Sequence, residues 1–275
     1  MTRTIVVGAG IAGLATAALL AREGHEVTVL ERGERVGGRA GTVERGGFRF
    51  DTGPSWYLMP GVFDHFFDLL GTSTAEQLDL CTLDPGYRLF TEPAKGDDAG
   101  SVVIPAGVER VMATFDELEP ASSRRLRRYL RSARSASDMA ERYFLYNPFT
   151  RVRSLLRGDI VRSLPRLTTL LTNSLQRFVH RRFRHPALRQ VLKYPAVFLG
   201  TDPRRAPAIY HLMSALDLDD GVQYPLGGFW AIVQRLEALA RDAGVTIITG
   251  GEVTEILTLP DYGRWRAAGV RWRGS

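Results

Sequence analysis

The chain has 275 residues, of which 44% are hydrophobic and 24% charged; this leaves room for two modest domains, each with its own core, and excludes a disordered or fibrous chain. One cysteine, Cys81, excludes an internal disulfide, and no Cys/His pair has zinc-site spacing, so a reducing, cytoplasmic compartment is expected. The net charge of +6 is uneven: residues 120–205 hold 20 Lys/Arg against Asp138, Glu141, Asp159 and Asp202, a local +16 that leaves the remainder near −10.

Residues 3–31 predict a compact strand-helix-strand unit. A strand Thr4–Val7 runs into glycines, a small apolar helix follows over Gly13–Glu23, Gly24 supplies a left-handed stop, and a second strand runs over Glu26–Leu30. The alanine-rich helix suits close packing on a parallel sheet covered on both faces. An apolar run cut short by glycine is a buried strand, not a signal peptide, and no uninterrupted apolar stretch is long enough to cross a bilayer. From Gly37 to Gly61 the chain is a series of tight turns, with short strands at Thr42–Arg45 and Phe48–Phe50 joined through Gly46-Gly47. A helix is predicted over Val62–Leu70, and strands over Tyr87–Thr91 and Ser101–Ile104 around a polar loop, Pro93–Gly100.

Beyond Pro105 the pattern turns helical, with segments Val108–Leu118 and Ala121–Tyr143. A third runs from Leu164 to Arg182, where Leu164, Leu167, Leu171, Leu175 and Phe178 form one apolar stripe, Pro165 falls in the first turn, and arginines lie off the stripe. Such a helix packs on a core or lies on a membrane surface. The last stretch returns to α/β order: helix Phe229–Ala243, strands Val245–Thr249 and Glu252–Leu257, a turn at Asp261–Gly263, and strand Arg264–Val270. No closing helix follows, so the sheet begun at Thr4 is expected to lack its last partners.

The chemistry sits in the first unit. Gly8-Ala9-Gly10-Ile11-Ala12-Gly13 is a G-x-G-x-x-G that follows a strand and opens a helix. Gly8 makes the tight turn, Gly10 lets a pyrophosphate approach the backbone, Gly13 lets helix pack on strand, and the helix start offers free N–H groups. Glu31, 18 residues after Gly13, is placed for a ribose diol, and an acid there argues against a 2′-phosphate. Gly37-Gly38-Arg39 adds a second close backbone approach and a forked cation for the diphosphate, which favours FAD over NAD. Asp51-Thr52-Gly53-Pro54 is a rigid turn of the kind a loop beneath a flavin ring requires. His25, His65, His180, His185 and His211 form no catalytic constellation and are assigned no role.

Glu31–Thr42 (ERGERVGGRAGT) and Phe48–Pro60 (FRFDTGPSWYLMP) resemble the phytoene desaturase family of carotenoid desaturases. FLGTDP (Phe198–Pro203), PAIY (Pro207–Tyr210), GVQYPLGG (Gly221–Gly228) and AGVTIITGGEVTEI (Ala243–Ile256) are similar to the same family, so the resemblance covers essentially the whole chain. It implies an α/β fold: a Rossmann-like FAD domain made of residues 1–85 and 223–275, and a helical or mixed substrate and membrane-contact domain, 86–222. The C-terminal part of the family fold is absent.

The cofactor set is then Gly8, Ala9, Gly10, Ile11, Ala12, Gly13, Glu31, Arg32, Gly37, Gly38, Arg39, Gly53 and Pro54, with Val253 placed by the adenine through its backbone, Tyr224–Gly228 leading back toward the flavin, and no metal. The resemblance further implies desaturation of a polyene such as phytoene by hydride transfer to FAD. Phe144, Leu145, Tyr146, Phe149, Phe198 and Tyr210 are candidates for an apolar tunnel, and the arginine block for peripheral contact with anionic lipid. Nucleic acid is not expected, since the basic block lacks a recognition module. Another flavin oxidase of the amine oxidase or protoporphyrinogen oxidase group is the alternative enzyme and would have a more polar pocket. The missing C-terminal half leaves a fragment, a subunit completed by a second polypeptide, or an inactive remnant.

Overall fold

A computed structural model describes residues 2–91, 100–146, 158–198 and 200–274. The chain divides into two compact units, residues 1–81 with 223–275, and residues 82–222.

The first unit is built on a parallel sheet in which strand Glu26–Leu30 lies between Arg3–Val7 and Thr246–Ile248. The helix after the glycine turn, Ile11–Arg22, and the returning helix Trp230–Asp242 pack on each other. Leu14, Ala17, Ala18, Ile232, Val233, Leu236 and Ala240 join Val27 and Val29 in the core. Small residues in the first helix let it approach the sheet closely. The expectation that both faces of the sheet are covered fails among the described residues. Side chains alternate across a strand, and Ile5 and Val7 are exposed on a cleft of about 910 Å³ that reaches Trp272, Ile256 and Leu259.

Those last residues belong to a long antiparallel hairpin, Gly251–Asp261 with Arg264–Gly274, whose strands outrun the predicted Glu252–Leu257 and Arg264–Val270. Its turn uses left-handed Tyr262 and Gly263. A shorter hairpin, Thr42–Arg45 with Phe48–Asp51, turns through Gly46 and Gly47 at positive φ as expected. Helix Pro60–Leu70 closes with Gly71 as a left-handed cap.

The second unit combines the antiparallel pair Tyr87–Phe90 and Ser101–Ile104 with helices Val108–Leu118, Ser122–Ala140 and Pro186–Lys193. Phe115, Tyr129, Phe178, Phe183, Leu188 and Leu192 anchor its core. Its loop between the strands falls, apart from Gly100, outside the described residues. The predicted single helix Leu164–Arg182 is two helices, Gly158–Thr172 and Leu175–His180. Ser174 breaks it: its backbone turns extended and its hydroxyl accepts from Arg177 N at 3.3 Å, capping the second helix. Pro165 is not in a first turn, because the helix begins at Gly158 and carries Pro165 in its interior. Among the described residues no helix is long and apolar enough to cross a membrane.

Candidate functional site

The site is assembled from backbone before side chains. Gly8 takes φ +97°, its N–H bonds Leu30 O at 2.8 Å, and the helix ladder starts with Leu14 N to Gly10 O at 2.9 Å. The N–H groups of Ile11, Ala12 and Gly13 therefore precede the first bond of the ladder and point out of the helix end. Gly13 has no latitude, since a Cβ there would lie 2.0 Å from Gly8 O. Gly10 is different. A Cβ there would find its nearest neighbour, Gly37 O, 4.0 Å away, so the bare Cα faces open space that a ligand can enter.

Glu31 closes this turn. Its carboxylate accepts from Ala9 N at 2.7 Å and from Gly33 N at 2.8 Å, one bond to each oxygen. Each oxygen keeps a further lone pair for a ribose hydroxyl. The segment after Glu31 folds back against the turn: Gly37 N donates to Ala9 O at 2.7 Å, and Gly38 packs on Gly10. Gly37 must be glycine, because its φ is +105° and a Cβ would meet the Trp230 ring at 2.8 Å.

Arg39 lies in the short turn Gly38–Ala40 with its side chain exposed. Gly53 presses on it, a Cβ at Gly53 falling 2.1 Å from Arg39 O. Gly251 N bonds Glu31 O at 2.8 Å, which brings the hairpin, and Val253 two residues along it, beside the Glu31 strand end. Val253 is half-buried and pairs with Trp272. The glycines, Glu31, Arg39 and Val253 thus gather in one unit around one turn. Arg32 and Pro54 are exposed there.

Asp51 has a task beyond its turn. Its Oδ2 accepts from Phe229 N at 2.6 Å and occupies the space beside Gly228, where a Cβ would meet it at 2.6 Å. Asp51 thereby caps the helix Trp230–Asp242. Arg49 supports the clamp, donating to Gly227 O at 2.7 Å, and Tyr57 N donates to Gln223 O at 2.8 Å. Burial pushes the Tyr57 phenol up to about 12, so it stays neutral. The segment Tyr224–Gly228 is held in the first unit by the Arg49 bond to Gly227 O and, just after it, by the Asp51 bond to Phe229 N.

In the second unit Leu145, Tyr146 and Phe198 are exposed, while Tyr210 packs against the core. Phe149 and the side chain of Phe144 lie outside the described residues. The unit also buries polar groups. Asp217 accepts from Tyr87 Oη at 3.2 Å, and burial, opposed by that bond, pushes its carboxyl up to about 7. His211 is fully buried, with Ser132 Oγ 2.9 Å from Nε2 and Ala208 O 2.9 Å from Nδ1. Desolvation lowers it to about 4. Such a neutral imidazole ties helix to loop. Among the described residues no cluster of His, Cys, Asp and Glu could hold a metal.

Residues 11–271 match the family described as flavin containing amine oxidoreductase. The chain belongs to this family. FAD is the cofactor of the family, and the open face at Gly10 and the free acceptor capacity of Glu31 fit it. A carotenoid 3,4-desaturase of Haloarcula japonica is 39% identical over 251 residues, covering 91% of this chain and 50% of that protein. A 4,4′-diapophytoene desaturase of Staphylococcus haemolyticus is 29% identical over 279 residues, 98% of this chain and 52% of that one. An oxidoreductase from Methanosarcina mazei shares the fold at a TM-score of 0.56 and 19% identity, over 97% of this chain and 57% of its own. The chain spans about half the length of the curated relatives it matches.

Proposed function

We propose that this chain carries the adenine-nucleotide side of the FAD site in an oxidoreductase that desaturates a carotenoid polyene. The observation that carries the cofactor reading is the contrast at the turn: Gly13 is sealed against Gly8, while Gly10, beside Gly37 and Gly38, is left open. In this reading the first-turn N–H groups and Arg39 hold the diphosphate, Glu31 the adenosine ribose, and the backbone at Val253 the adenine. Gly53 and Pro54 approach the flavin end. When bound, FAD supplies the hydride acceptor.

A hydrocarbon substrate offers nothing to grip but apolar area, at about 25 cal/mol per Å² buried. The second unit, with Leu145, Tyr146, Phe198 and Tyr210, is assigned that task, and its basic surface the contact with anionic lipid. Phytoene is the expected substrate. The 39% identity to a carotenoid 3,4-desaturase favours a second one, a carotenoid that is already partly conjugated.

The uncovered sheet face at Ile5 and Val7 is assigned to protein corresponding to the other half of the relatives' length, on the same or a second polypeptide. Parallel sheets are covered on both faces, which supports this. Expression of the chain together with that half, in cells supplied with either phytoene or a longer-conjugated carotenoid, tests the activity. A red-shifted polyene spectrum from one of the two precursors is expected; both precursors recovered unchanged, with the flavoprotein folded and yellow, would overturn the substrate assignment.

A further inference from the structure

The second unit carries a basic cleft of about 440 Å³, lined by Ser174, Gln176, Arg177, His180, Arg181 and Arg204. One wall is the helix Leu175–His180 and the other is the turn from Asp202 to Pro207. Backbone bonds tie the walls: Leu175 N to Ala206 O at 2.8 Å, Gln176 N to Pro203 O at 2.9 Å, and Ala208 N to Asn173 O at 2.8 Å. Arg204 is steered by Asp202, which accepts its backbone N at 2.8 Å and its Nε at 2.7 Å. Arg204 in turn holds the Asp202 carboxyl below its usual range.

Arg177 and Arg181 stand one helical turn apart and both are exposed, a spacing at which like charges repel and cost the helix stability. His180 Nε2, shielded from solvent, has no hydrogen-bond partner among the described residues. The cleft therefore presents the guanidinium groups of Arg177 and Arg181, with Arg204 already paired to Asp202 on its second wall and the His180 Nε2 shielded from solvent.

We propose that this cleft binds the phosphate of an anionic phospholipid headgroup. The proposal rests on the peripheral membrane reading above and gives it an address. Guanidinium forks match phosphate oxygens in pairs, and an anion between Arg177 and Arg181 turns their repulsion into joint attraction. Exposed Leu171 precedes the cleft by three residues, and exposed Val197 and Phe198 precede its second wall. Apolar side chains flanking cations suit a lipid surface, where the first enter the acyl boundary and the second meet headgroups; a nucleic-acid backbone offers no apolar phase.

Co-sedimentation with vesicles tests this, using phosphatidylcholine alone and phosphatidylcholine mixed with phosphatidylglycerol. The wild-type chain is expected to pellet with the mixed vesicles. R177Q/R181Q should bind them about 25-fold more weakly, from about fivefold per arginine, or about 1 kcal/mol each. R235Q/R241Q makes the same charge change on the helix Trp230–Asp242 of the first unit, outside the basic block assigned to lipid, and should bind within about twofold of wild type.

Inorganic phosphate at constant ionic strength should weaken vesicle binding of the wild type and not of R177Q/R181Q. Equal losses in both double variants would mean bulk charge and overturn the site. Vesicle binding unchanged in R177Q/R181Q would overturn the cleft and leave the membrane reading standing, whereas a wild type that ignores phosphatidylglycerol would end both. A wild type that binds phosphate in the cleft yet ignores vesicles would overturn the lipid and assign the cleft to a soluble phosphate.

Discussion

Alanine at Gly10 and at Gly13 should fail in opposite ways, although the two glycines are three residues apart in one motif. At Gly10 the backbone has φ −75° and ψ 177°, which alanine adopts freely, and the added methyl would find nothing closer than 4.0 Å. Lower entropy of the unfolded chain should then stabilise the apoprotein by about 0.4–1 kcal/mol. The same methyl fills the space assigned to the pyrophosphate, so FAD affinity should fall at least about tenfold, or about 1.4 kcal/mol.

At Gly13 a Cβ 2.0 Å from Gly8 O overlaps backbone by more than an ångström, and strain of about 1–3 kcal/mol is expected in the apoprotein itself. Thermal unfolding without flavin and quenching of flavin fluorescence on titration separate the two effects. Gly10→Ala that melts as low as Gly13→Ala, or that binds FAD like wild type, would refute the division of labour argued for this turn.

Asp51→Ala removes the acceptor at Phe229 N and should cost about 1–2 kcal/mol of stability, read as a lower urea midpoint; Asp51→Asn should recover part of it. Asp217 is raised to about 7, so the folded chain holds a proton that the unfolded chain releases. Its contribution is full below the ordinary carboxylate range and is lost as pH rises toward 7, and Asp217→Asn should flatten stability between pH 4 and 7, as denaturant titrations at several pH values would show. His211 is lowered to about 4, so its neutral form stabilises above the ordinary imidazole range and that stability is lost as pH falls from about 6.5 to about 4. His211→Gln should lower stability at pH 7 and weaken its acid sensitivity.

The strand, glycine turn, helix and Glu31 were legible because each is specified by neighbours in the chain: a period of two, then glycines, then a period near four. The Gly46-Gly47 hairpin was legible for the same reason. The helix break at Ser174 was hidden because the leucine stripe continues in step across it, although the serine that caps the second helix was there to be read. The length of the last hairpin was hidden by Pro260, a residue that reads as a strand breaker yet pairs with Trp265 beside the turn.

Asp51 was read only as part of its own turn because its partner, Phe229, is 178 residues away, and Gly37 gave no hint that it is pinned by Trp230. Long-range packing decides such contacts, and a single sequence carries them only as unexplained glycines and acids. The paired walls of the basic cleft were equally silent; the arginine block was visible as charge, without the fold that brings Arg204 across from Arg177.

The central claim is that this chain reads the adenine-nucleotide half of FAD. Competition for bound FAD on the 275-residue chain tests it most directly, with ADP and FMN as competitors. ADP should displace FAD and FMN should not, since Glu31 and the helix start are assigned to the ribose and diphosphate of the adenosine side. Displacement by FMN with indifference to ADP, or no FAD binding by the folded chain, would contradict the account.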